Sequence, residues 1–295
     1  MPFVGELSAL LTAALWSGSA LLFAAATARA GSLPVNVARL LLATVYLVLL
    51  IAIAGFDVRM TTSQAVYLCV SGVIGLAIGD SFLFNAFREV GPRITMLIMS
   101  TAPAIAALMA YLLLRESLSL YGVAGIVVTL IGVAIVVLER NPNAPHTPVA
   151  WRGVLFAIIA AAGQGVGLIF AKMAFLEGEM NGFVATLVRI LGSLVVMLPI
   201  GIVAARSSDA FRGIRTDRRA AALTALGAVL GPFLGISFSL IAVANTSVGI
   251  AATIMATVPI LMLPLVHYIY AEKLSWKAMT GAVVAVAGVA VLFLR

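Results

Sequence analysis

The chain has 295 residues, 63% of them hydrophobic and 10% charged, with a mean hydropathy of +1.18. A soluble domain carries roughly 25% charged residues. This chain lacks the polar surface to cover a core in water, so its solvent is lipid. A spanning helix uses about 20 apolar residues; ten would consume most of the chain and leave no room for a soluble domain. The long apolar runs do not alternate as barrel strands do. The net charge of +7 comes from arginines lying mostly between apolar segments, which reads as membrane topology rather than nucleic-acid binding. Cys69 is the single cysteine, so there is no intrachain disulfide, and no Cys/His cluster suggests a metal; no cofactor is implied.

Hydropathy predicts ten helices, near 4–28, 33–54, 64–87, 94–114, 119–138, 153–175, 182–204, 220–243, 248–270 and 275–294. In the first, Trp16, Ser17 and Ser19 are cavity-lining candidates. Ala28-Arg29-Ala30 resembles a leader cleavage site, but no Lys or Arg precedes the apolar run, which is long for a leader; this segment is expected to be structural. The second helix carries Arg39 and the third carries Asp80 and Asn85. The fourth contains Met99, Ser100 and Thr101 beside Pro103, a site for a kink or gate. A polar stretch, 141–152, divides the chain into 1–140 and 153–295. Beyond it come Gln164, Arg189, Ser237 and Ser239, then Met255 and Thr257 beside a second proline, Pro259.

A shift of 156 residues overlays 71–138 on 227–294 without a gap. Gly75 and Gly79 meet Gly231 and Gly235, Thr101 and Pro103 meet Thr257 and Pro259, and Glu116 meets Glu272. Arg39 matches Arg189 at a slightly different offset. Each half holds five helices, an odd number, so the second enters the membrane from the opposite face. Such inverted repeats are common in secondary transporters, whose cargo binds near the midplane between the halves. The pairs Gly125/Gly132 and Gly281/Gly288 suggest a contact between helices five and ten or with another protomer.

The ionisable residues within helices admit two readings each. An intramembrane charge is costly and usually has a partner or lines water. Asp80 is either a proton or ammonium site or a structural residue, as the partner of Arg39 or as a capped neutral acid; its repeat counterpart is Ile236. Arg39 and Arg189 either clamp a carboxylate or, the preferred reading, snorkel to an interface about two turns away. Lys172 and His267 read as interfacial residues, and Glu116 and Glu272 as structural turn residues. Hydroxyls inside helices usually bond their own backbone. Methionines give an adaptable wall for apolar groups, although packing is their default.

The duplicated Arg39/Arg189 and Pro103/Pro259, with the turn Glu116-Ser-Leu-Ser before a glycine-bearing helix, resemble the EamA-type, ten-helix branch of the drug/metabolite transporter superfamily. The resemblance implies two five-helix repeats around a central cavity in the inner (plasma) membrane, working by alternating access. It extends, less closely, to the aromatic amino-acid exporters. The expected function is export of amino acids, with aromatic or apolar side chains as the finer expectation, or of related metabolites. Protons are a candidate coupling ion, and no oligomer is required. A multidrug or other metabolite transporter is the alternative. An enzyme is disfavoured because no HExxH, Walker A or GxSxG element occurs, and a channel because no ring of selectivity groups does. Arginines and lysines concentrate in the loops opposite the termini, which by charge places the termini outside, whereas the family resemblance leans towards termini inside.

Overall fold

The computed structural model describes residues 3–106, 108, 120–137, 150–207, 209–246, 251, 254–270 and 275–292. They are almost wholly helical, with no strand among the described residues. The fold is an all-α polytopic membrane bundle. Helices α1 (Val4–Ala30) and α2 (Ser32–Ala54) meet at Gly31, whose φ of 86° favours a residue without a Cβ. Helix α3 starts at Thr62 and runs to the corner at Gly91, where φ is 76°; α4 follows from Pro92. Then come α5 (Leu120–Val137), α6 (Trp151–Leu176), α7 (Gly182–Ser207) and α8 (Arg218–Asn245). Helix α9 ends with Val258–Tyr270 and α10 is Trp276–Leu292. A short helix, Arg212–Thr216, lies in the arginine-rich loop before α8.

The duplication is visible in local geometry. Thr61 caps α3 by accepting the Gln64 N–H, and at the matching position Asp217 caps α8 by accepting those of Arg219 and Ala220. Twelve residues later both helices widen into π-helical stretches, Val73–Gly79 and Val229–Gly235. Proline does not cause the widening, because Pro232 lies only in the second. Matching breaks interrupt α4 at Ser100-Thr101 and α9 at Ala256-Thr257.

The halves pack on each other through residues without side chains. A Cβ on Gly163 of α6 would lie 2.9 Å from the Gly79 Cα of α3. In the second repeat, Gly227 and Gly231 of α8 receive the ring of Phe23, and Gly235 receives Trp16, both from α1. Helices α5 and α10 pair with each other: a Cβ on Gly132 would strike the Ala285 backbone and lie 2.7 Å from the Gly281 carbonyl oxygen. Of the two contacts expected for these glycines, the structure forms the one between helices five and ten. In lipid, where burial of apolar surface between helices gains little, such close approach supplies the packing.

Arg29 at the end of α1 holds Asp217 at 2.7 Å. That hydrogen bond, aided by the N–H groups of Ala220 and Arg219, keeps the Asp217 carboxyl below the usual carboxylate range. Its contribution is present at neutral pH and fades as pH falls through the lowered value. Glu116 and Glu272 lie outside the described residues.

Replacing Gly288 by leucine, where an added Cβ would meet the Thr129 backbone, is expected to push α5 and α10 apart and cost at least about 1–3 kcal/mol. Thermal unfolding in detergent reads this as a lowered Tm. Val127→Ala, on an exposed face of α5, should change Tm little.

Candidate functional site

Proline has no N–H to donate, so Pro103 and Pro259 leave the carbonyls one turn before them, at Met99 and Met255, without their usual partners. The chain responds by tightening: Ser100 N–H donates to the Met96 and Leu97 carbonyls, and Thr101 N–H to Ile98. The Thr101 and Thr257 hydroxyls each donate at 2.7 Å to the carbonyl three residues back, Ile98 and Ile254. These paired breaks border a cavity of about 580 Å³ lined by Trp16, Met96, Met99, Ser100, Pro103, Gln164, Leu168, Met255, Val258 and Pro259. Its walls come from α1, α4, α6 and α9, two helices from each repeat.

A second chamber of about 540 Å³ shares Trp16, Met96, Met99 and Gln164 and continues towards Ser19, Phe23, Arg39, Asp80, Phe84 and Ile236. At its wall the Arg39 guanidinium donates to Asp80 Oδ2 at 2.5 Å and to Asn36 Oδ1 at 3.0 Å. Asn36 donates in turn to Ser81 Oγ at 3.0 Å. The same guanidinium stands over the Phe84 ring at 4.8 Å and the Phe23 ring at 5.6 Å. Such cation–π contacts strengthen as water is removed. Arg39 is 4% exposed and therefore does not snorkel to an interface. The expectation failed because distance from a helix end measures depth along one helix only; a carboxylate on the neighbouring helix gives the charge a closer partner than headgroup water. Asn36, one turn before Arg39, completes the network. An amide inside the second apolar helix is the signal in the sequence that points to it.

Arg189 is also buried, at 1% exposure, and its Nε and one Nη (Nη2) have no hydrogen-bond partner. It therefore does not snorkel either. The remaining candidates serve their own helices. Ser17 donates to the Ala13 carbonyl at 2.7 Å, and also approaches Val258 O at 3.3 Å. Asn85 donates to Ser81 O, Ser237 to Phe233 O and Ser239 to Ile236 O. Lys172, expected at an interface, is half-buried and donates to the Val243 carbonyl at the end of α8. His267 and Tyr268 lie exposed near the end of α9, with their rings 5.6 Å apart. Among the described residues no group of three acidic, His or Cys side chains could hold a metal ion.

The sequence matches the EamA-like transporter family model twice, over residues 3–138 and 151–294. The chain belongs to the EamA-like transporter family. Membership makes it a membrane transporter of small molecules, in agreement with the resemblance read from the duplicated motifs. A solved crystal structure of another protein aligns over 98% of this chain and 96% of its own, with a TM-score of 0.70 at 20% identity, which carries the fold. No curated protein sequence matches significantly. The two family matches cover the two halves joined by the cavity, so its walls are shared between EamA repeats.

Removing one partner of a buried ion pair strands the other, at a cost of about 3–5 kcal/mol. Arg39→Met should therefore destabilise the transporter strongly. The double replacement Arg39→Met with Asp80→Leu should recover most of the loss, because no charge remains buried. Thermal unfolding of the single and double variants measures the coupling.

Proposed function

We propose that this EamA-family protein exports amino acids or closely related small metabolites by alternating access. The observation that carries the reading is the cavity between the matching breaks of α4 and α9, walled by both repeats and adjoining the chamber lined by the Arg39–Asp80 pair. Inverted repeats allow the two halves to exchange conformations and so expose one site to either face. The breaks at Ser100-Thr101 and Ala256-Thr257 are the hinges, since residues there already lie outside the regular helical ladder. Met96, Met99, Met255, Leu168 and Trp16 supply a soft, mostly apolar wall suited to aromatic or aliphatic side chains. The same adaptability supports the second reading, a transporter of mixed apolar metabolites or drugs.

Asp80 is the coupling group in this scheme. Protonation would release Arg39 and loosen the joint between α2 and α3. The arginine-rich loop at 205–219 faces the cytoplasm, by the charge asymmetry of the loops.

Counterflow in proteoliposomes with a panel of amino acids and metabolites tests the function; saturable exchange of at least one amino acid is expected, and its absence across the panel removes the amino-acid reading. Asp80→Asn should abolish the dependence of the rate on pH. An unchanged rate and pH profile would dismiss the coupling role. A cysteine placed at Asp209 in a Cys69→Ser background should be labelled only by membrane-permeant maleimide in intact cells.

A further inference from the structure

The two repeats each carry a buried guanidinium, yet only one has an acid. Arg39 is matched by Asp80, whereas the position equivalent to Asp80 in the second repeat is Ile236, which lines the chamber. Arg189 lies within the electrostatic reach of both Asp80 and Arg39, but its Nε and Nη2 remain without a hydrogen-bond partner at 1% exposure. Two cations thus share one carboxylate, and the second half of the site is one negative charge short. Only glycines leave room for this guanidinium: a Cβ on Gly75 would lie 2.7 Å from Arg189 Nη2 and 3.6 Å from Gln164 Oε1, and one on Gly167 would lie 3.3 Å from Nη2. Gln164 therefore stands beside Arg189 while also lining both chambers of the cavity.

We infer that Arg189, reached past Gln164, is the anion-binding end of the transport site, and that the cargo carries an oxyanion which does for Arg189 what Asp80 does for Arg39. This rests on the transporter reading above and adds a substrate class to it. The guanidinium fork fits a carboxylate or a phosphate with two parallel hydrogen bonds. Arg39 is not available for that task, because Asp80 and Asn36 already occupy it. The repeat also accounts for access. The chamber beside Arg39 is bordered by Gly231, the counterpart of Gly75, and is open. Arg189 is enclosed, at 1% exposure, so in this scheme exchange of conformations between the halves opens its side in the opposite state of the cycle.

The test is ligand-induced thermal stabilisation of the purified full chain in detergent, at matched ionic strength, with three probes sharing one apolar body: sodium 3-phenylpropionate, phenyl phosphate and phenethylamine hydrochloride. At least one of the two anions should raise the wild-type Tm and the amine should not; the arm that responds distinguishes carboxylate from phosphate. Arg189→Gln should weaken the responding anion by at least about tenfold. Ile236→Asp should weaken it as much while keeping the arginine, because a built-in carboxylate then competes for Arg189. The wild-type comparison needs no variant to fold. The inference is overturned if no anion shifts Tm, if the amine does so equally, or if both variants retain the wild-type response. Failed amino-acid counterflow beside Arg189-dependent anion binding would overturn only the amino-acid reading.

Discussion

Helix backbones from opposite repeats touch where a glycine on at least one side removes the side chain, and the rest of the molecule is arranged around those contacts. Gly79 on Gly163 joins α3 to α6, and Gly132 and Gly288 join α5 to α10. Lipid tails compete equally for apolar side chains, so close van der Waals approach must supply what the hydrophobic effect supplies in water. The corresponding stripe on α8 meets a different surface. Gly227, Gly231 and Gly235 receive Phe23 and Trp16. One half of the pseudo-symmetric pair is thus closed by backbone against backbone. The other is propped around aromatic rings, and there the chamber beside Arg39 opens.

That difference in packing matters because of the charges beside it. A guanidinium costs several kcal/mol at membrane depth unless something compensates it. Arg39 has a carboxylate, an amide and two aromatic rings. Arg189 has the crowded, glycine-lined space between α3 and α6, with its backbone carbonyl pressed against Gly72. A protein needing only a stable bundle would gain by replacing such a residue with an apolar one. Retaining it in the half that lacks the acid is consistent with a transporter whose cargo supplies the missing charge.

The fold was largely legible in the residues. The gapless 156-residue shift foresaw the matching breaks and the pairing of α5 with α10, because prolines and closely packed glycines have steric consequences any helix must show. The π-helical stretches were not legible: Val73–Gly79 and Val229–Gly235 share their glycines but not the proline, and glycine spacing by itself does not distinguish a π-helical turn from an α-helical one. Sites were legible by type more than by role. Trp16, Gln164, Met99 and Met255 line the cavity, whereas Thr101, Ser237 and Ser239 turn their hydroxyls onto their own backbones.

The sequence by itself determined the solvent, the helix count, the duplication and the rarity of charge within the helices, since each follows from composition and spacing along the chain. Only the tertiary structure decided how those charges are used. Whether Arg39 faces headgroups or Asp80, and whether Arg189 finds any partner at all, depends on which side chains of other helices stand within 3 Å or so of a guanidinium. Hydropathy along one helix contains no such distance.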